Sequence, residues 1–325
     1  MKPRVLVTRH VYPAAIPILQ EGCVVDYQDT YDVMNEAQLS KKLALADGVV
    51  CQLTDPLTRA VIDAAPRLKV ISQVAVGHDN IDVEAATAKG VVVTNTPGVL
   101  TEATADLTFA LLLAAARRLP EAERFLRDGA WRRWDVDLLC GADVHGRTLG
   151  VVGLGRIGQA VARRARGFGM RVLYSGRRQA PAEVEQELHA TRVPLDTLLG
   201  ESDYVSLHAP LNDVTRHMIS VAQLCAMKRH AILVNTARGP IVDERALIAA
   251  LEEGLIGGAA LDVFEAEPEV PEALLRLPNV VLLPHVGSAV TSVRSQMCAI
   301  AARDCAAVLT GAEAPKHVVN PEALR

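Results

Sequence analysis

Short apolar runs alternate with longer helical patterns along two stretches of the chain. The first stretch contains five strand-like runs, which are Arg4–Val7, Val24–Tyr27, Gly48–Cys51, Lys69–Ser72 and Val91–Thr94. The second stretch contains six, which are Thr148–Val152, Arg171–Ser175, Tyr204–His208, Ala231–Asn235, Ala259–Val263 and Val280–Leu283. Each run is short and almost continuously apolar, as strands buried on both faces are. The alternation predicts an α/β fold built on two parallel sheets.

Two long helical patterns flank the second series of strands. Thr101–Arg118 has acidic residues near its start and two arginines at its end, the charge order that favours a helix. Ser288–Leu309 follows the last predicted strand with a second helical pattern. Helices in these positions would carry the chain out of one domain and back into it. We therefore expect one domain from residues 1–98 and 288–325, and a second from residues 99–287.

Composition favours a globular protein of the cell interior. Of the 325 residues, 50% are hydrophobic and 22% are charged, which supplies sizeable cores and excludes a disordered or collagen-like chain. The net charge of −4 comes with no dense basic face, so we expect no nucleic-acid partner. The longest apolar run, Leu107–Ala116, is too short to span a membrane. The N-terminus lacks the apolar segment of a signal peptide, so we expect a cytoplasmic protein.

The six cysteines are scattered along the chain, and no C-x-x-C pair occurs. We expect them to be reduced thiols rather than a disulfide framework. The histidines and cysteines show no metal-ligand spacing. We therefore expect no metal site. A zinc-dependent alcohol dehydrogenase, which needs such ligands for its zinc, is not favoured.

A glycine-rich motif ends the first strand of the second series. Residues 151–158 read VVGLGRIG, which gives Gly153-x-Gly155-x-x-Gly158 between a predicted strand and a predicted helix. In a dinucleotide-binding turn, Gly153 permits the tight turn, Gly155 lets the backbone approach a pyrophosphate, and Gly158 lets the helix lie close to the sheet. Backbone N–H groups at the start of the helix would hold the phosphates. A plain strand–helix turn can use the same glycines, but the surrounding strands and helix favour a dinucleotide site.

The end of the next strand bears on the choice between NAD and NADP. An Asp or Glu at this tip binds the ribose 2′-hydroxyl of NAD. This chain has no carboxylate there and reads Ser175, Gly176, Arg177, Arg178. Two arginines and a hydroxyl suit a 2′-phosphate, although a solvated basic turn is the alternative. We expect NADP as the cofactor, with NAD less preferred.

Three polar side chains follow later strands of the second series. Arg238 lies in NTARG, Glu267 in LDVFEAEP and His285 in LPHVGS. Ligands of open α/β sheets collect at the carboxyl ends of strands, so these side chains are expected to face one crevice. They suit reduction of a 2-oxo acid, with Arg on the substrate oxygens, His as proton donor and Glu stabilising the imidazolium. Their structural alternatives are a surface ion pair for Arg238, a turn cap for Glu267 and a satisfied core histidine for His285.

Several long motifs, in order along nearly the whole chain, resemble the D-2-hydroxyacid dehydrogenase family. They are VAVGHDNID (74–82), TPGVLTEATAD (96–106), VVGLGRIG (151–158), NTARGPIVDE (235–244), LDVFEAEP (261–268) and LPHVGSA (283–289). The resemblance implies a Rossmann NAD(P)-binding domain inserted in a flavodoxin-like substrate domain, both doubly wound around parallel sheets. It implies that Arg238 binds and activates the substrate, Glu267 assists, and His285 donates the proton. It also implies a homodimer built on the nucleotide domain.

The resemblance assigns roles to further residues. Backbone N–H groups around Val76 and Gly77 would hold the substrate carboxylate, with Leu53 lining the pocket. The residues that would lie against the cofactor are Thr104, Gly155, Arg156, Ile157, Gly158, Thr236, Ala237, Asp262 and Gly287.

Within the family, the chain looks most like glyoxylate/hydroxypyruvate reductases and the related 2-ketogluconate reductases. The supporting features are AAARRLPEAERF (114–125), DVHGRTLG (143–150) and SGRR (175–178), where NAD-specific relatives usually carry Asp at the position of Gly176. We therefore expect NADPH-dependent reduction of glyoxylate and hydroxypyruvate, with a small 2-oxo or 2-hydroxy acid as partner. A larger 2-oxo sugar acid such as 2-ketogluconate is the alternative substrate. A nucleotide-sensing, corepressor-like binding protein is the alternative from another class.

Overall fold

The computed structural model describes residues 2–324. Its strands are β1 (Arg4–Val7), β2 (Val24–Tyr27), β3 (Gly48–Cys51), β4 (Val70–Gln73), β5 (Val92–Thr94), β6 (Thr148–Val152), β7 (Arg171–Ser175), β8 (Ala190–Arg192), β9 (Tyr204–Leu207), β10 (Ile232–Asn235), β11 (Gly258–Leu261) and β12 (Val280–Leu282). Its α-helices are α1 (Ala15–Gly22), α2 (Glu36–Leu43), α3 (Arg59–Asp63), α4 (Val83–Ala88), α5 (Thr101–Ala116), α6 (Leu119–Arg127), α7 (Arg156–Gly167), α8 (Ala182–Leu188), α9 (Leu195–Glu201), α10 (Val221–Ala226), α11 (Glu244–Glu252), α12 (Glu272–Arg276) and α13 (Thr291–Thr310). Short 3₁₀ turns occupy Gly239–Ile241 and Pro321–Leu324.

The chain forms two compact units. One unit comprises Met1–Leu100 and Ser288–Arg325, and the other comprises Thr101–Gly287. The first unit is built on a five-stranded parallel sheet in the order β2-β1-β3-β4-β5. This is the strand order of flavodoxin-like folds.

The alternation of side chains along each strand gives the first unit two cores. Val5 and Val7 of β1 pack on the side of α1 and α13, with Leu19 and Cys305. Leu6, between them, packs on the opposite side with residues of α2, α3 and α4. Because successive side chains of a strand point to opposite faces, an uninterrupted apolar run is what a doubly covered sheet requires.

The second unit is built on a seven-stranded parallel sheet in the order β12-β11-β10-β9-β6-β7-β8. Counted from β6, the order is the Rossmann arrangement extended by one strand. Helix α5 packs against α7, β10 and β11. Its buried residues, which include Thr104, Thr108, Leu111 and Leu112, recur at the spacing of one helical face. The expected fold class, two doubly wound parallel sheets, is confirmed.

The predicted strands form with ends that differ by at most two residues from those expected. The sequence did not predict β8, a three-residue strand at the edge of the seven-stranded sheet. Ala190 is buried there, whereas Thr191 and Arg192 are both exposed. An edge strand of this kind has no apolar run for a pattern to detect.

Asp203 ties together the amino-terminal edge of the seven-stranded sheet. Its carboxylate accepts hydrogen bonds from the backbone N–H of Thr148 at 2.8 Å, from Lys228 Nζ at 2.8 Å and from His230 Nε2 at 2.9 Å. Burial raises the pKa of Asp203, but the bonds from Lys228, Thr148 and His230 outweigh it and lower the pKa to about 2. The ionised carboxylate therefore stabilises the fold.

Replacing Asp203 by asparagine should lower the free energy of unfolding by roughly 2 kcal/mol at neutral pH. The folded-state pKa of about 2 lies below the ordinary value of 3.8, so this stabilisation is complete above that value and is lost as the pH falls towards 2. Urea unfolding of wild type and Asp203→Asn from pH 7 to pH 3 should show the difference shrinking below about pH 4. The control, Asp213→Asn, makes the same charge change at an exposed loop position. A constant difference across this pH range would contradict the expected role.

Candidate active site

The loops that follow the strands of the second unit carry most of the predicted site residues. All strands of this sheet are parallel, so the loops after β6, β7, β10, β11 and β12 leave the same edge. In open α/β sheets this edge is where ligands bind. The predicted catalytic residues Arg238, Glu267 and His285 follow β10, β11 and β12 respectively.

His285 and Glu267 form a hydrogen-bonded pair. His285 Nδ1 lies 2.7 Å from Glu267 Oε2, and the two side chains are 28% and 26% exposed. Glu267 Oε1 accepts a hydrogen bond from the backbone N–H of Phe264 at 3.0 Å. Burial raises the pKa of Glu267, but the contacts with His285 and Phe264 and the charge of Arg238 bring it below its ordinary value. An ionised carboxylate on Nδ1 orients the ring and leaves Nε2 as the nitrogen for proton transfer.

Asp262 shapes the loop that presents His285. The backbone N–H of His285 donates to the carbonyl of Asp262 at 2.8 Å. The Asp262 carboxylate accepts hydrogen bonds from the N–H groups of Val286 and Gly287, both at 2.7 Å. Burial raises the pKa of Asp262, although these bonds oppose the effect. His285 has a φ of 52°, in the left-handed region, and these bonds hold the turn in that conformation.

The turn that carries Arg238 is held by Asn235. The N–H of Ala237 donates to Asn235 Oδ1 at 3.0 Å, and Asn235 Nδ2 donates to the carbonyl of Arg238 at 2.9 Å. Arg238 Nη1 donates to the carbonyl of Ala237 at 2.8 Å. Asn235 was not predicted as a site residue. Its signal is an asparagine directly before a short polar turn, where the side chain bonds the backbone two residues later.

Gly239 brings the Arg238 turn against the segment that leads to Glu267. A Cβ atom at Gly239 would lie 1.8 Å from the carbonyl oxygen of Phe264, so only glycine fits there. The positive charge of Arg238 also contributes to the lowered pKa of Glu267. The loop that carries Arg238 and the loop that carries Glu267 therefore meet through their backbones at Gly239 and Phe264.

A chain of hydroxyl groups runs beside this edge. Thr104 Oγ1 donates to the carbonyl of Gly287 at 3.2 Å. Thr108 Oγ1 donates to the carbonyl of Thr104 at 2.8 Å and lies 2.8 Å from Thr236 Oγ1, which leaves Thr236 as donor in that pair. Thr104, Thr236 and Gly287 were expected at the site from the sequence, but Thr108 was not. Its spacing of four residues from Thr104 on helix α5 is the signal that was missed.

The glycine motif forms a tight turn between β6 and α7. Gly153 has a φ of 95°, and a Cβ at Gly158 would lie 2.2 Å from the Gly153 carbonyl oxygen. A Cβ at Gly155 would meet no atom within 4 Å. Arg156 and Ile157 open helix α7 directly after it. The turn thus presents open backbone at a helix N-terminus, which fits a pyrophosphate.

A cleft of about 370 Å³ extends from this turn to the tip of β7. Gly155, Gly176, Arg177 and Arg178 are among its lining residues. Arg177 and Arg178 are exposed, and among residues 2–324 neither pairs with a carboxylate. Arg192 Nη2 donates to the carbonyl of Gly176 at 3.0 Å, which holds the tip. Ser175, which was expected at this tip, is the last residue of β7 and directly precedes Gly176, but it is not among the residues that line the cleft.

The predicted substrate residues of the first unit also follow strands. Leu53 lies in the loop after β3, and Val76 and Gly77 lie in the loop after β4. All three are half-buried. Within the described chain, no group of three or more His, Cys, Asp or Glu residues is placed to hold a metal ion. No helix of residues 2–324 is long and apolar enough to cross a bilayer.

Comparison with known proteins identifies relatives over the full chain. The family model described as "D-isomer specific 2-hydroxyacid dehydrogenase, NAD binding domain" matches residues 109–287. A glyoxylate reductase of Korarchaeum cryptofilum is 52% identical, covering 100% of this chain and 98% of the relative. A glyoxylate reductase of Thermococcus onnurineus is 51% identical with the same coverage.

Solved structures are similar over nearly the same length. A protein from Thermus thermophilus has a TM-score of 0.90 at 46% identity, covering 97% of this chain and 99% of that chain. An NADPH-dependent glyoxylate/hydroxypyruvate reductase from Sinorhizobium meliloti, solved with NADP and malonate, has a TM-score of 0.88 at 37% identity, with 98% of each chain covered.

Proposed function

The chain belongs to the D-isomer specific 2-hydroxyacid dehydrogenase family, and on that premise we propose that it reduces glyoxylate and hydroxypyruvate with NADPH. The products would be glycolate and D-glycerate. As a member of this family it is an oxidoreductase with an NAD(P)-binding domain. The observation that carries the proposal is the hydrogen-bonded Glu267–His285 pair, together with the close approach of the Arg238 turn to the segment that leads to Glu267. The names of the archaeal relatives support glyoxylate as a substrate.

Arg238, His285 and Glu267 have different roles in the proposed reduction of the carbonyl group. The bound nicotinamide supplies the hydride that reaches the carbonyl carbon. Arg238 offers a planar fork of N–H donors to the substrate carboxylate and the carbonyl oxygen, where negative charge develops. His285 donates a proton from Nε2 to that oxygen, and Glu267 stabilises the imidazolium from Nδ1. We also assign the substrate carboxylate to the backbone N–H groups of Val76 and Gly77, which belong to the first unit, with Leu53 of the same unit lining the pocket.

We assign the cofactor to the edge of the second unit, which serves as the dinucleotide-binding domain. Its turn has the open backbone that a pyrophosphate needs, since nothing lies within 4 Å of a Cβ at Gly155. The residues assigned to the cofactor are Thr104, Gly153, Gly155, Arg156, Ile157, Gly158, Ser175, Gly176, Arg177, Arg178, Thr236, Ala237, Asp262 and Gly287. The exposed Arg177 and Arg178, with no carboxylate at the tip, support NADP over NAD. The relative from S. meliloti, solved with NADP, is consistent with that choice.

Two single variants, Gly155→Ala and Gly158→Ala, should distinguish an effect on cofactor affinity from an effect on stability. Gly155→Ala should leave the free energy of unfolding within about 0.5 kcal/mol, because its Cβ meets open space. The same Cβ occupies the approach to the pyrophosphate, so NADPH affinity should fall by ~10-fold or more. Gly158→Ala should instead cost roughly 1–3 kcal/mol of stability, because its Cβ would overlap the Gly153 carbonyl. Fluorescence titration with NADPH and urea unfolding measure the two effects, and normal NADPH affinity in Gly155→Ala would exclude this turn as the phosphate site.

A panel of three acids tests the substrate. With NADPH as cofactor, kcat/KM should be higher for glyoxylate and hydroxypyruvate than for 2-ketogluconate. The reverse order would assign the chain to the larger sugar acids on the same catalytic groups.

We also propose that the enzyme is a homodimer that uses the nucleotide domain as its interface. Large apolar side chains, which include Leu119, Leu126, Trp131 and Trp134, are exposed between helix α5 and strand β6. Contiguous exposed apolar patches mark interaction surfaces, and the exposed side chains of this stretch support such a surface here. Cytoplasmic location stays a prediction from the sequence.

A further inference from the structure

The amide side chain of Asn80 joins two loops of the first unit. Asn80 Nδ2 donates to the carbonyl of Gln52 at 3.1 Å and to the carbonyl of Asp55 at 2.9 Å. These two carbonyls stand on either side of Leu53 in the chain. The Asp55 carboxylate closes the same turn by accepting from the N–H of Gln52 at 2.7 Å. Asn80, which follows β4, therefore holds the turn that carries Leu53 after β3.

Gln73 fixes Asn80 in turn. Gln73 is fully buried at the end of β4, and its Nε2 donates to Asn80 Oδ1 at 2.7 Å and to the carbonyl of Gly77 at 3.3 Å. Its Oε1 accepts from the thiol of Cys51 at 3.1 Å. A buried amide that loses its partner cannot exchange it for water, so these bonds set the positions of both loops.

The backbone around Val76 and Gly77 is held by its carbonyl groups. The Ala75 carbonyl accepts from the N–H of Thr96 at 2.8 Å, and the Val76 carbonyl accepts from Asn95 Nδ2 at 2.7 Å. Within residues 2–324, the N–H groups of Val76 and Gly77 make no hydrogen bond. A segment with its carbonyls bound and its donors available is suited to an anion.

We propose that Asn80 is a positioning residue that determines which 2-oxo acids bind well. The Leu53 side chain and the N–H groups of Val76 and Gly77 are the two substrate-binding features of this unit, and Asn80 sets the spacing between them. The inference rests on the proposed function, since it needs a substrate carboxylate at Val76 and Gly77. A displacement of ~1 Å at such a site can cost ~10²-fold in rate.

Asn80→Ala and Asn80→Asp test the proposal. Alanine removes all three side-chain hydrogen bonds, whereas aspartate keeps an acceptor for Gln73 and sets a carboxylate against the carbonyls of Gln52 and Asp55. Both variants should raise KM for glyoxylate by ~10-fold or more while kcat changes less, and both should shift the ratio of kcat/KM between hydroxypyruvate and glyoxylate by ~5-fold or more. NADPH affinity, measured by fluorescence, should stay within about 2-fold of wild type, because Asn80 lies outside the nucleotide domain.

Asn320→Ala is the matched control. Asn320 lies in the same unit, is 3% exposed and uses its amide in the same way, with bonds to the Val91 carbonyl at 2.9 Å, to Thr87 Oγ1 at 2.8 Å and from the Val93 N–H at 2.7 Å. Its loss should lower the melting temperature as much as the loss of Asn80. The selectivity ratio should nevertheless remain that of wild type.

Two results would overturn the proposal: a selectivity ratio and KM in the Asn80 variants equal to wild type, or the same change in Asn320→Ala. If the wild-type enzyme reduces neither acid, the proposed function fails, and the positioning role of Asn80 is tested separately. Calorimetry in the presence of NADPH then measures the binding of oxamate, an unreactive analogue of glyoxylate. Weaker oxamate binding in Asn80→Ala than in Asn320→Ala and wild type supports the positioning role. Equal binding in all three proteins, or no binding to wild type, overturns it.

Discussion

Replacing His285 by alanine is expected to lower kcat for glyoxylate by ~10²–10⁴, the usual contribution of a general acid. The ring donates the proton that neutralises the developing alkoxide, and alanine leaves that charge without a donor. Affinity for NADPH should stay near that of wild type, because Gly287 is the residue of this loop that we assign to the cofactor. The bonds from the Val286 and Gly287 N–H groups to Asp262 hold Gly287 in place, and they do not involve the His285 side chain. Stopped-flow and steady-state assays at saturating NADPH measure the effect.

The chain contains a matched control for that experiment. His217 also has a left-handed backbone, with a φ of 51°, and also pairs with a glutamate, its Nε2 lying 2.6 Å from Glu265 Oε1. His217→Ala should keep kcat within about 2-fold of wild type, because this pair has no assigned role in the reaction. Near-normal turnover in His285→Ala would remove His285 from the mechanism.

Replacing Arg177 and Arg178 together by alanine is expected to lower kcat/KM for NADPH by ~10²-fold and to change that for NADH little. A hydrogen bond to a charged group contributes ~1.5–3 kcal/mol. Because solvent screens exposed charges, we expect the two arginines together to contribute a total within this range. NADH has no 2′-phosphate, so it loses nothing from the change. The effect is read from kcat/KM for the two cofactors at saturating glyoxylate.

Arg163→Ala is the control for the arginine pair. Arg163 is exposed on helix α7 of the same unit and pairs with Glu187 at 2.8 Å, away from the tip. It should leave the preference between NADPH and NADH unchanged. Equal losses for both cofactors in the Arg177 and Arg178 variant would show that the pair does not recognise the 2′-phosphate.

Much of the architecture could be predicted because buried parallel strands leave a strong local signal. The runs at Gly48–Cys51 and Tyr204–Leu207 are buried at every residue, so their apolar pattern is continuous. The edge strand Ala190–Arg192 has no such pattern, because only its first residue is buried. Its position beside β7 is set by backbone pairing rather than by side-chain burial.

The residues that position the loops of the candidate site were harder to predict than the proposed catalytic residues. Arg238, Glu267 and His285 stand out because each is a residue type used in catalysis and lies in a loop that follows a strand. Asp262 was expected to lie against the cofactor, and the structure shows that its carboxylate binds the backbone of the His285 loop. The contact of Gly239 with Phe264 joins residues 25 positions apart, a relation that no local pattern carries.

The most direct test of the proposed function is the initial rate of absorbance loss at the nicotinamide band, with purified enzyme, glyoxylate and either NADPH or NADH. The proposed function predicts rapid loss with NADPH and a kcat/KM at least ~10-fold lower with NADH. Preference for NADH would contradict the assignment of Arg177 and Arg178 and leave the roles of Arg238, Glu267 and His285 standing. No absorbance loss with either cofactor would contradict the proposed reaction itself.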